Sequence, residues 1–132
     1  MNTLKHTYTT LYRLSETFWN LLFPPRCAGC DTPGDWLCPS CIAQIEFLQS
    51  SWEPTDELPS LRGLRSVARL SGPLQKAIHN FKYKGLRALA STLGAILSDG
   101  WEAAPRAVDV IVPVPLHASR LRERGYNQSA LL

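Results

Sequence analysis

Four cysteines fall within fifteen residues, as two Cys-x-x-Cys pairs separated by the seven residues DTPGDWL: Cys27 with Cys30, then Cys38 with Cys41. Each pair can close into a tight knuckle that presents two sulfurs to one ion, and Pro33 with Gly34 supplies a turn between the knuckles. Four thiolates at ~2.3 Å complete a tetrahedral Zn²⁺ shell with no open position, so the expected site is structural rather than catalytic. A redox-active Cys-x-x-Cys or two disulfides remain the alternatives, although neither accounts for two matched pairs. Metal binding of this kind supplies on the order of 10 kcal/mol to folding, which a module with so little apolar surface needs. The spacing thus predicts a small zinc-ribbon-like module, built on the four cysteines, over residues 25–48. Trp36, between the knuckles, reads as a packing residue of that hairpin.

The rest of the chain has to supply a fold of another kind. At 132 residues, with 45% apolar and 19% charged residues, it has room for one ordinary globular domain or for a small module plus part of a larger one. Its net charge of +3 hides an asymmetry. Residues 1–61 carry three Lys/Arg against seven Asp/Glu, whereas residues 62–132 carry eleven against four. The second part would attract a polyanion or a phosphorylated small molecule, unless the cations only form a solvated face. No apolar run approaches the ~20 residues that cross a bilayer, and the N-terminus lacks a secretory apolar core, so a cytoplasmic protein with no membrane span is expected. Cytosolic thiols are normally reduced, which favours metal ligation over disulfides.

Along the chain, Leu4, Tyr8, Leu11, Tyr12, Trp19 and Leu22 fall at helical spacings, predicting an amphipathic helix over residues 1–24 that Pro24 and Pro25 end. After the cysteine module, residues 49–61 read as a linker rich in Ser, Pro and acidic residues. LRSVARL is a short strand candidate. Ser71, Gly72 and Pro73 then open a helix whose apolar stripe is Leu74, Ala77, Ile78 and Phe81, and Gly85 can stop it. A second helix is expected from about Leu86 to Trp101. RAVDVIVPVP follows as a run of β-branched residues suited to a parallel strand covered on both faces. Such a strand needs sheet neighbours, and seventeen residues after Pro115 are too few to provide them. The sequence therefore reads as the front part of a longer α/β protein.

In parallel α/β sheets, ligands sit beyond the carboxyl ends of strands, where LHASRLRERGYNQS lies here. Read as a basic loop, it brings Arg120, Arg122 and Arg124 as guanidinium groups for bidentate phosphate contacts, with Gly125 allowing close backbone approach. Asn127 and Gln128 could bond a sugar hydroxyl or cap the next helix. The arginines could equally pair with Glu123 and solvent. FKYKG resembles a nucleic-acid-binding cluster, but Lys82 and Lys84 also suit a helix C-terminus, where cations complement the dipole. His117 has no visible catalytic partner, and no catalytic residue is assigned.

Taken together, LLFPPRCAGC with LCPSC, HNFKYKG and IVPVPLHASRLRERGYNQSALL resemble the ComF-type family of phosphoribosyltransferase-like proteins, associated with natural competence. The resemblance runs from Leu21 to the last residue. It implies an α/β fold in which a small N-terminal zinc-ribbon-like module precedes the first part of a Rossmann-like phosphoribosyltransferase domain, residues 62–132. It further implies that a phosphoribosyl ligand such as phosphoribosyl pyrophosphate (PRPP) is held on the pyrophosphate side by the basic segment, with Mg²⁺ expected only in a full-length homologue. The paired-aspartate strand and Thr-Thr-Gly loop that would hold the ribose phosphate are absent from the sequence, so this chain is not expected to be active alone. The other implied function is non-catalytic: handling single-stranded DNA, or assembly with partners in the competence machinery.

Overall fold

The computed structural model describes residues 24–49, 60, 61, 63–103 and 105–132. The amphipathic helix expected over residues 1–24 and most of the linker expected over 49–61 lie outside the described residues.

The first described element is a β-bridge between Arg26 and Pro33, which closes the hairpin that carries the first cysteine pair. Helix α1, Pro39–Ile42, follows at once. Pro39 starts it because a first-turn residue has no intrahelical use for a backbone N–H, and Cys38 precedes it in extended geometry. Helix α2, Gly72–Tyr83, begins at Ser71, also extended, with Pro73 in its first turn. It buries Leu74, Ala77 and Phe81, which share one face by helical spacing, and Gly85 lies just beyond its end. Helix α3, Leu89–Glu102, buries Leu89 and Leu93. The chain then runs through residues 105–117 without helix or strand, and finishes with α4, Ala118–Arg124, and α5, Gln128–Leu131.

Helix α1 packs on α2, α2 on α3, and α3 on α5. The buried apolar residues form one continuous cluster that joins Cys27, Leu37, Cys38, Cys41 and Ile45 to Leu74, Ala77, Phe81, Leu89, Leu93 and Tyr126. The cysteine module and the helices therefore share a core. A second link runs along the chain's edge: Phe47 and Ala68 form an antiparallel bridge, with Leu48 N donating to Val67 O at 2.9 Å and Arg69 N to Glu46 O at 2.9 Å. Among the described residues no helix is long and apolar enough to cross a membrane.

Three sequence expectations need correction. LRSVARL does not build a continuous strand; among the described residues it makes isolated bridge positions at Leu64 and Ala68, the latter paired with Phe47. The run Val108–Val114 forms no strand and no β-bridge among the described residues, and it is largely uncovered: Val110, Ile111, Val112 and Val114 are 72%, 82%, 71% and 72% exposed. The basic loop is a helix over most of its length. Ala118–Arg124 is composed mainly of good helix formers, and Arg120 pairs with Glu123 one turn on, at 2.7 Å. Gly125, at φ 74, ends it in the left-handed conformation that glycine adopts without a Cβ penalty, and its N–H bonds Leu121 O.

Candidate metal centre and the basic helix end

The two knuckles form from local rules. In the first, Asp31 N donates to Cys27 O at 2.7 Å and Cys27 N to Thr32 O at 2.9 Å, curling residues 27–32 around two sulfurs. In the second, Cys41 N and Ile42 N both donate to Cys38 O, at 2.9 and 3.0 Å, so α1 itself turns Cys38 and Cys41 to the same side. Ala28 N donates to Trp36 O at 2.9 Å and ties one knuckle to the other.

As a result the four sulfurs converge, all within 4.8 Å of one another, and none is in a disulfide. Tetrahedral Zn²⁺ with Zn–S bonds of ~2.3 Å needs sulfur separations of roughly 3.8 Å, so a small contraction closes the shell. Cys27, Cys38 and Cys41 are buried and Cys30 is exposed. The donor set is all sulfur and uses every cysteine of the chain, which fits one closed structural zinc.

The surroundings favour thiolates where zinc would want them. Cys27 Sγ accepts from Gly29 N at 3.4 Å and from Cys38 N at 3.3 Å. Burial pushes the Cys27 thiol up, but the amides of Cys38, Cys30 and Gly29 outweigh it and leave the group below its ordinary value. The Ser40 hydroxyl, 3.2 Å from Cys38 Sγ, is the largest cause of a fall in the Cys38 thiol to about 6, with the Cys41 amide next. Thr32 Oγ1 stands 3.1 Å from Cys30 Sγ. Cys41 goes the other way, since burial raises it well above a free thiol. A metal must displace that proton, so zinc uptake releases acid and zinc affinity rises with pH.

Gly29 marks where the module meets α2. A Cβ there would lie 2.8 Å from Cys41 Sγ and 2.9 Å from Pro73 Cβ, a ligand on one side and the start of a helix on the other. Gly29→Ala is expected to cost ~1–3 kcal/mol through overpacking, read as a lower urea midpoint at unchanged m-value. An unchanged midpoint would mean that knuckle and helix are not in close contact.

The residues expected to hold phosphate lie at the far end of α2 and are only partly brought together. Arg120 is exposed and paired with Glu123, and Arg122 is exposed on the same helix. Arg124 is half-buried, stacked over the Tyr83 ring at 5.0 Å, with Nη1 donating to Gln128 Oε1 at 3.0 Å. Gly125 O accepts from Arg87 Nη2 at 2.6 Å. Asn127 caps α5, its Oδ1 accepting from Ser129 N at 3.1 Å, while its Nδ2 donates to Val114 O at 3.0 Å. Gln128 is buried. Three participants leave no mark in the local sequence pattern. Arg87 lies over the Tyr126 ring at 4.6 Å, a contact across 39 positions. Lys76 and Asn80 reach the first knuckle from α2. Only the helical register of Lys76 and Asn80, four residues apart beside the apolar stripe, could have drawn attention to a shared face.

A family model described as a double zinc ribbon domain matches residues 18–52. All four cysteines fall inside the match, and they suffice for one zinc shell. No curated protein and no solved structure matches the chain.

Proposed function

We propose that the zinc module is the structural foot of a phosphoribosyltransferase-like protein of the ComF type, cytoplasmic and associated with DNA uptake, and that the segment Arg120–Gln128 handles the pyrophosphate side of PRPP or a related phosphoribosyl ligand. Its chief support is the Arg124 and Gln128 pair. Both Arg124 Nε and Gln128 Nε2 are buried and lack hydrogen-bond partners among the described residues, while Arg124 is held in place over Tyr83. Leaving such donors unsatisfied costs ~1–3 kcal/mol each, so a rearrangement of this helix end that turns them toward an anionic ligand would recover that cost. The exposed apolar run Val108–Val114, leading straight into this segment, is consistent with a strand of a larger sheet that ends at a ligand site. The Rossmann-like domain is part of the same proposal. The chain lacks the paired aspartates and the Thr-Thr-Gly loop, so no step of catalysis is assigned to its residues.

One observation favours a second, non-catalytic reading, the binding of single-stranded DNA. Tyr83 is 58% exposed, its ring 4.9 Å from that of His79 and under the Arg124 guanidinium, with Lys82 and Lys84 beside it. An exposed ring among cations is a stacking platform for unpaired bases.

A single variant separates the readings. In the full-length context that the resemblance implies, if the segment holds pyrophosphate, Arg124→Ala is expected to weaken PRPP binding by ~1.5–3 kcal/mol in calorimetry with Mg²⁺, the usual size for a hydrogen bond to a charged group. A nucleic-acid contact would instead weaken single-stranded DNA binding at every sequence and lower its salt slope by about one unit. If both affinities are unchanged, the basic helix end is surface and the proposal fails.

A further inference from the structure

Helix α2 reaches into the metal module by two hydrogen bonds that do not belong to the apolar core. Lys76 Nζ donates to Gly29 O at 3.3 Å, across 47 residues, and Asn80 Nδ2 donates to Ala28 O at 3.2 Å, across 52. The two donors stand four residues apart, so they project from one side of the helix and grip successive carbonyls of the same knuckle.

Those carbonyls are not arbitrary. The peptide that carries Ala28 O also carries Gly29 N–H, which points at Cys27 Sγ at 3.4 Å. The peptide that carries Gly29 O also carries the N–H of Cys30, itself one of the four converging cysteines. A peptide group is planar, so fixing its oxygen fixes the direction of its N–H. Asn80 therefore holds the plane whose N–H meets the Cys27 sulfur, Lys76 holds the next plane, which leads into Cys30, and Cys38 N–H, at 3.3 Å, meets the Cys27 sulfur from the other knuckle. The cleft between knuckle and helix, about 610 Å³, is lined by Cys27, Cys30 and Asp31 on one side and by Lys76, His79 and Lys84 on the other. Four thiolates on one Zn²⁺ leave a net charge of about −2, which the Lys76 and Lys84 ammonium groups oppose.

We infer that Lys76 and Asn80 are positioning residues of the metal centre, and that through them zinc occupancy and the docking of α2 stabilise each other. The inference rests on the four-cysteine site being a zinc site. Outer partners of this kind alter metal affinity by roughly 10–100-fold. Linkage makes the effect reciprocal: whatever the helix adds to zinc affinity, zinc adds to the hold on the helix.

Zinc affinity of the full chain, measured by competition with a chromophoric chelator at fixed pH, tests this directly. Asn80→Asp keeps the shape of the side chain but sets an acceptor against Ala28 O, and Lys76→Met removes the ammonium while keeping most of the stem. Each is expected to weaken zinc binding ~10–100-fold and to shift the thiolate-to-metal absorption of the cobalt-substituted protein. Lys76→Arg should restore the affinity, because it returns a cationic donor. Gln75→Ala, in the same cleft on the same helix, should leave it unchanged. Wild-type affinity in both Asn80→Asp and Lys76→Met overturns the inference, as does an equal loss in Gln75→Ala or no recovery in Lys76→Arg. A wild-type chain that takes up no zinc overturns the metal centre itself, and the inference with it.

Discussion

Cys38→Ser is expected to abolish stoichiometric zinc binding and to unfold the knuckles while the protein is otherwise kept under native conditions. The reason lies in what else could hold residues 24–49 together. Their buried apolar residues are Cys27, Leu37, Cys38, Cys41 and Ile45, of which three are metal ligands. Leu37 and Ile45 contribute ~1.5–3 kcal/mol each by burial. Zinc in a four-thiolate shell contributes ~10–16 kcal/mol, so the metal term dominates by a wide margin. A serine hydroxyl is not ionised near neutral pH and cannot replace the thiolate that Ser40 and the Cys41 amide stabilise. Elemental analysis gives the occupancy, and thermal unfolding followed by Trp36 fluorescence, with the other three tryptophans replaced by phenylalanine in both proteins, gives the module. A variant that keeps one zinc per chain and the wild-type Tm would contradict the account.

Phe81→Ala should be the most damaging change away from the metal. Phe81 is 2% exposed, and its ring meets that of Tyr126 with centroids 5.6 Å apart. The Tyr126 hydroxyl also donates to Phe81 O. Truncation would leave a cavity at the centre of the cluster that joins the cysteine module to α2 and α3, at a cost of ~3–5 kcal/mol. Urea titration would show a much lower midpoint, and residual zinc binding would be more sensitive to denaturant than in the wild type. A loss below ~1 kcal/mol would mean that the cluster is not a packed core, because a filled core does not tolerate the removal of a ring.

What the sequence made legible were the features set by nearby residues. All four metal ligands lie within fifteen positions, and two tight pairs leave few ways to arrange their sulfurs. Helix α2 is marked by Pro73 and the Leu74, Ala77, Phe81 stripe, and α3 by Leu89 and Leu93. Helix α4 is harder to see, because arginines beside a glycine suggest a binding turn. Gly125 is instead the stop of a short helix whose formers extend back to Ala118. The β-branched run around Ile111 suggests a strand, but a strand depends on a partner, which local chemistry does not specify, and none pairs with it among the described residues. Long-range contacts leave the weakest trace. Asn80 is an ordinary polar residue in a helix, and nothing in its neighbourhood points to a carbonyl 52 residues earlier.

The most direct measurement is zinc K-edge X-ray absorption, with metal analysis, on protein purified under reducing conditions. The expected result is one zinc per chain surrounded by four sulfurs at ~2.3 Å, with no nitrogen or oxygen neighbour. Protein free of zinc, or zinc with a mixed or open shell, would contradict the closed four-cysteine centre.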